Sequence, residues 1–214
     1  MRHALRGLYV ITDDRRAGPR ALCRAVSAAL RGGARVVQYR DKGHDPARRL
    51  AEAQALAVLC RAHRAVFLVN DDVDLAVAAG ADGVHLGRDD ANVAAARGRL
   101  PASGLVGVSC YNRFETARQA AALGADYIAF GSFFPSPTKP DAVRAGPDLL
   151  VRARRELALP AVAIGGISPE NGAALVRAGA DMLAVISAVF AAPDIGDAAR
   201  AFSNCFGIAE EGKP

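Results

Sequence analysis

The chain has 214 residues, of which 51% are hydrophobic and 23% charged, and its formal net charge is +5. At this length roughly 70% of the unfolded surface can be buried, which suits one solid core and excludes a disordered chain. No apolar run reaches the ~18 residues of a membrane span, and Met1 to Asp14 lacks the apolar stretch of a secretion signal.

The expectation is a cytoplasmic protein with a single domain over residues 1–214 and a short tail from about residue 204. Cys23, Cys60, Cys110 and Cys205 are widely spaced and form no CxxC pair, which argues against a zinc site or a disulfide framework. All but three of the 27 basic residues are arginines, and they are scattered; aromatics make up 6% and there is no Trp. That pattern offers no stacking platform for nucleic acid. It fits a field that draws in small anionic substrates, over a solvated arginine-rich surface that accounts for most of the excess. The lysines are Lys42, Lys139 and Lys213.

Short β-branched runs alternate with Ala-rich helical stretches along the chain. Gly7–Thr12 reads as a strand and Pro19–Arg31 as a helix. Arg35–Arg40 is the second strand, followed by a helix over Pro46–Arg61 that Asp45 caps, with Pro46 at its first position. Side chains alternate along a strand, so Gln38, Arg40 and, if the strand runs that far, Lys42 share a direction. An Arg fork beside a Lys point charge suits a phosphate or diphosphate; the alternative is an exposed strand end with solvated charges.

Val66–Asn70 is the third strand, Val73–Ala79 a helix and Gly83–Leu86 the fourth strand. Asp71 and Asp90 follow neighbouring strands, close enough to share a magnesium that completes its shell with water and phosphate oxygens. Helix capping is the competing reading of this acidic cluster, and the simpler one for Asp72, Asp74 and Asp89. His85 reads either as a core histidine or as part of the barrel mouth.

A helix over Asn92–Arg97 leads to the fifth strand, Leu105–Ser109. Ser109 can hydrogen-bond a substrate, but without a partner His it makes a poor nucleophile. Cys110 reads as a packed residue.

Arg113–Leu123 is a helix and Tyr127–Gly131 the sixth strand. The stretch from Gly131 to Pro147 carries four prolines, at 135, 137, 140 and 147, which forbid regular structure. A loop this long in a compact barrel is usually functional, and Ser136, Thr138 and Lys139 on it suit a phosphate lid; a stiff connector is the plain alternative. Pro147–Leu157, Pro169–Ala178 and Ile195–Phe202 read as helices, Ala161–Gly165 and Met182–Ser187 as strands. Gly166 lets backbone N–H groups approach an anion, and Ser187 adds a hydroxyl.

Eight strand–helix units in series imply parallel pairing through right-handed crossovers, and they close naturally into a single (β/α)8 TIM barrel. An open doubly wound sheet is the alternative, weakened by the absence of GxGxxG after the first strand. Ala79-Gly80-Ala81-Asp82, Leu123-Gly124-Ala125-Asp126 and Ala178-Gly179-Ala180-Asp181 form a weak internal repeat of helix-to-strand turns, on the face opposite to barrel catalysis.

Five blocks in order, Gln38–Lys42, Asn70-Asp71 with Asp82–Gly87, Gly107–Ser109, Pro135–Pro140, and Ala163–Ile167 with Ile186-Ser187, resemble the thiamine-phosphate synthase family over nearly the whole chain. The resemblance implies a barrel that joins hydroxymethylpyrimidine diphosphate to a thiazole phosphate, with magnesium, giving thiamine phosphate and diphosphate. It further implies that Gln38, Tyr39, Arg40, Asp41, Lys42, Asn70, Ser109 and Lys139 hold the pyrimidine diphosphate. Ser136, Pro137, Thr138, Gly166, Ile186 and Ser187 would meet the thiazole phosphate, and Asp71 and Asp90 the magnesium. Arg40, Lys42, Ser109 and Lys139 are the expected catalytic group. Position 136 is Ser where the family often has Thr, so the hydroxyl is kept. The related thiazole tautomerase and a non-catalytic phosphometabolite sensor are the rival readings; neither has a use for the full set Arg40, Lys42, Asp71, Asp90 and Lys139. The partners implied are phosphorylated small molecules, with neither nucleic acid nor membrane, and the oligomeric state is left open.

Overall fold

The structure, a computed structural model, describes residues 5–13, 18–87, 92–135 and 143–211, with side chains as far as 207. The strands are β1 (Gly7–Ile11), β2 (Ala34–Tyr39), β3 (Val66–Asn70), β4 (Gly83–Leu86), β5 (Leu105–Tyr111), β6 (Tyr127–Gly131), β7 (Ala161–Ile164) and β8 (Met182–Val185). The helices are α1 (Gly18–Arg31), α2 (Pro46–Ala62), α3 (Val73–Ala79), α4 (Val93–Arg99), α5 (Phe114–Ala122), α6 (Asp148–Glu156), α7 (Pro169–Ala178), α8 (Ser187–Phe190) and α9 (Ile195–Glu211). The strands form a closed barrel in chain order. β1 pairs in parallel with both β2 and β8, which excludes the open doubly wound sheet.

Strand alternation divides the apolar side chains into two cores. Tyr9, Val36, Leu68, Tyr127, Val162 and Ala184 fill the barrel interior. Leu8, Val10, Val37, Tyr39, Phe67 and Val69 face outward into the layer shared with the helices. Both sets are almost fully buried, and each large side chain so buried contributes on the order of 1.5–3 kcal/mol.

The three Gly-Ala-Asp turns close the bottom of the barrel. Gly80, Gly124 and Gly179 take positive φ angles of 65°, 90° and 119°, which a side chain would strain. The aspartate that follows each turn accepts a backbone N–H from the strand before it. Asp82 Oδ2 accepts from Phe67 at 2.8 Å, Asp126 Oδ2 from Val106 at 2.8 Å and Asp181 Oδ2 from Ala161 at 2.9 Å. β3, β5 and β7 are thereby pinned at their starts.

Three elements depart from the sequence expectation. The segment expected as a tail from about 204 is helical as far as Glu211, because α9 packs between α7 and α1 to close the helical ring. Ser203 Oγ donates to Gly32 O at 3.0 Å within that contact. β8 stops at Val185, and Ser187 opens the single turn of α8, too short to leave a periodic signal. β5 runs on to Tyr111 through a register shift against β6. Among the described residues, no helix is long and apolar enough to cross a membrane.

Replacing Asp82, Asp126 or Asp181 by Ala leaves a buried strand N–H without its acceptor. Each variant is expected to lose about 1–3 kcal/mol in denaturant unfolding, with unchanged activity per folded molecule because the pins lie opposite the barrel mouth.

Candidate active site

The carboxyl ends of the strands open into a cavity of about 600 Å³. Ile11, Ala129, Ile164, Ala184 and Ile186 give it an apolar lining, and Gln38, Asn70, His85, Ser109 and Ser187 add polar groups. Arg40 is the one charged residue of this lining among the described residues.

β1 positions the end of β2. Thr12 N donates to Gln38 O at 2.9 Å, and Arg40 N donates to Thr12 Oγ1 at 2.9 Å. These bonds hold Gln38 and Arg40 on the inner side, as alternation requires. Tyr39 and Asp41, expected with them at the diphosphate, point the other way. The Tyr39 hydroxyl donates to Glu52 Oε2 at 2.7 Å and lies 3.1 Å from Asp41 Oδ2. Asp41 also pairs with Arg48 and accepts from Gly43 N. The bonds from Gly43, Arg48 and Tyr39 outweigh desolvation and lower the Asp41 pKa. This cluster fastens the end of β2 onto α2, behind the cavity. β2 ends at Tyr39, so alternation does not carry as far as Lys42, which is exposed and outside the cavity lining.

Ser109 does have a partner histidine, contrary to the sequence reading. His85 Nε2 lies 2.9 Å from Ser109 Oγ, and His85 Nδ1 lies 2.8 Å from the Tyr127 hydroxyl. The Tyr127 hydroxyl is 3.0 Å from that of Tyr9, which accepts from Gln38 Nε2 at 2.7 Å. His85 is therefore both a satisfied interior histidine and a cavity residue. Burial pushes its pKa from the ordinary 6.5 down to about 4, against the opposing pull of the Asp71 charge. Burial likewise raises the pKa of both tyrosines. A Cβ at Gly107 would overlap the Tyr127 ring, so that glycine makes room for the crossing.

Asn70 lines the cavity, and Asp71 follows it at φ 61°, a left-handed geometry that Asp tolerates better than most residues. Asp71 N donates to His85 O at 2.8 Å, and Asp71 Oδ1 accepts from Gly87 N at 2.9 Å. The carboxylate is exposed at the rim, and no ion pair neutralises it among the described residues. A hard anionic oxygen in that setting suits magnesium. Among the described residues no three His, Cys, Asp or Glu side chains converge as a metal cluster. Asp90, with Asp89, lies outside the described residues.

The loops after β6, β7 and β8 complete the mouth. Gly165 and Gly166 have φ angles of 101° and 62°, and side chains there would run into Ser132 and into Phe134 and Pro135. Phe133 N and Phe134 N donate to Ile164 O and Gly165 O at 3.1 and 3.0 Å. Ser132 N donates to Val143 O, and Ala145 N returns to Ser132 O, which ties together the two ends of the proline-rich segment. Gly166, Ile186 and Ser187 all line the cavity. Ser136, Pro137, Thr138 and Lys139 lie outside the described residues. Tyr111 is a cavity residue that the sequence reading missed, since it depends on the extension of β5.

A cavity with an apolar lining and a few convergent polar groups, at the carboxyl face of a (β/α)8 barrel, is where enzymes of this architecture hold small-molecule substrates. The model of the thiamine monophosphate synthase family matches residues 8–189. The chain is 53% identical over 205 residues to a thiamine-phosphate synthase of Thiobacillus denitrificans, covering 96% of this chain and 97% of that one. It is 54% identical over 201 residues to one of Chromobacterium violaceum, covering 94% and 96%. A solved thiamine phosphate pyrophosphorylase from Pyrococcus furiosus superposes with a TM-score of 0.87 at 36% identity, over 97% of this chain and 98% of that one. The chain belongs to the thiamine-phosphate synthase family, transferases of thiamine biosynthesis.

Because the folded state holds His85 neutral and the unfolded state does not, the unfolded chain takes up a proton first as pH falls. Stability is therefore complete above the ordinary pKa of 6.5 and declines toward about 4, by roughly 3 kcal/mol in all. Unfolding free energies measured across that window should fall less steeply for His85→Gln than for the wild type; parallel curves would contradict the burial effect.

Proposed function

We propose that the cavity holds a pyrimidinylmethyl diphosphate and a thiazole phosphate together and joins them into thiamine phosphate, releasing diphosphate. The observation that carries this reading is the meeting of Gln38, Arg40, Asn70, Ser109, Gly166, Ile186 and Ser187, from five strand ends, on one cavity. In this reading Gln38, Arg40, Asn70 and Ser109 face the pyrimidine diphosphate, with Lys139 joining the basic group and Lys42 reaching it from the exposed chain just outside the cavity lining. Gly166, Ile186 and Ser187 face the thiazole phosphate, with Ser136, Pro137 and Thr138.

The reaction is a dissociative substitution. The bond from the pyrimidine methylene to the diphosphate oxygen breaks, and its electron pair leaves with the diphosphate. The ring amino group stabilises the methylene cation, and the thiazole nitrogen then supplies the pair for the new bond. Arg40, with Lys42 and Lys139, neutralises charge growing on the leaving oxygen, preorganised stabilisation of the kind that dominates many active sites. No protein nucleophile is required. The apolar lining around Ile11, Ala129 and Ile164 disfavours water, which would otherwise capture the cation as the alcohol. Asp71, with Asp90, would hold a magnesium ion, which when bound supplies further neutralisation at the diphosphate oxygens. The four cysteines are free thiols, which supports a cytoplasmic setting.

Incubating the protein with both substrates and magnesium should yield thiamine phosphate and diphosphate in equal amounts; isomerised thiazole with no diphosphate would favour a tautomerase. Arg40→Ala should lower kcat by about 100-fold or more. Lys139→Ala should lower kcat far more than it raises KM for the thiazole phosphate, and an unchanged kcat would remove Lys139 from the leaving-group role.

A further inference from the structure

Five side chains from five strands form one buried chain of hydrogen bonds, and both of its ends open into the cavity. Gln38 of β2 donates from Nε2 to the Tyr9 hydroxyl of β1 at 2.7 Å. Tyr9 meets Tyr127 of β6 at 3.0 Å, Tyr127 meets His85 Nδ1 of β4 at 2.8 Å, and His85 Nε2 meets Ser109 Oγ of β5 at 2.9 Å. The two tyrosines are at most 1% exposed, so water has little access to lend or remove a proton at either one.

A chain of this kind has a direction. Each hydroxyl carries one proton and a neutral imidazole carries one, so the orientation at one end dictates every bond to the other. With the Gln38 amide donating, Tyr9 passes its proton toward Tyr127, and Tyr127 donates to His85 Nδ1. The imidazole proton then sits on Nε2 and is given to Ser109. The Ser109 proton is left for the cavity.

We propose that His85, Tyr127 and Tyr9 are positioning residues that relay the amide orientation of Gln38 across the barrel, holding the Ser109 hydroxyl as a hydrogen-bond donor to the ligand. His85 then serves Ser109 as a donor and not as a base, which separates this Ser–His pair from a nucleophilic dyad. The inference depends on the function proposed above only for what the hydroxyl meets, an acceptor atom of the pyrimidine diphosphate.

The test reads the imidazole directly, without substrate. In protein labelled with ¹⁵N in the histidine rings, with His85 assigned by the signal lost in His85→Gln, the wild type should show the neutral Nε2–H tautomer. Gln38→Glu replaces the donor with an acceptor at the head of the chain and should move the proton to Nδ1. A wild-type Nδ1–H tautomer, or a Gln38→Glu protein that folds and keeps the proton on Nε2, overturns the proposal. Kinetics give a second, independent check. Tyr127→Phe should lower kcat about tenfold, the size of one hydrogen bond, and should cost almost nothing more in a Ser109→Ala background. Losses that multiply in the double variant would show that the two residues act separately and would overturn the relay.

Discussion

Everything at the mouth of this barrel is built over one constraint, that polar groups inside a closed sheet must find partners within it. An unsatisfied buried donor or acceptor costs on the order of 1–3 kcal/mol. The barrel interior holds Tyr9, Gln38, His85 and Tyr127, each at 9% exposure or less, and they satisfy one another in sequence before the chain ends on Ser109. Those bonds join β1, β2, β4, β5 and β6. They form a polar seam in an otherwise apolar floor, and they give Gln38 and Ser109 fixed orientations before any ligand arrives. Preorganised groups of this kind need no reorganisation as charge develops.

The two ends of the barrel answer different demands. At the bottom, three aspartates spend their carboxylates on strand N–H groups, a purely structural use. At the top, Asp71 keeps its carboxylate at the rim, and Arg40 is directed inward by Thr12. The Tyr39, Asp41, Arg48 and Glu52 cluster lies between these uses. None of its four residues lines the cavity, yet it anchors the chain that leads from Arg40 to Lys42.

Much of this was legible in the residues because it follows from local rules. Alternation along β2 places Gln38 and Arg40 inward; the resemblance put Tyr39 and Asp41 with them, whereas Tyr39 turns outward to Glu52. Gly80, Gly124 and Gly179 announce their turns by type. Gly166 and Ser187 follow from the general placement of phosphate sites in such barrels. What stayed hidden is long-range. Tyr9 and Tyr127 are separated by 118 positions, and neither carries a mark that it turns inward to meet the other. Ser109 lacked a visible partner because His85 reaches it from the neighbouring strand. The single turn of α8 is too short to leave a periodic signal, the extra length of β5 comes with a register shift against β6, and α9 continues to Glu211 where it packs between α7 and α1, which no local pattern encodes.

The central claim is that strand ends distant in sequence surround one leaving group. A crystal structure with magnesium and diphosphate tests it most directly. The diphosphate should lie within hydrogen-bonding distance of Arg40 and Ser109, with the metal on Asp71. Diphosphate bound away from Arg40, or a metal remote from Asp71, would contradict the account.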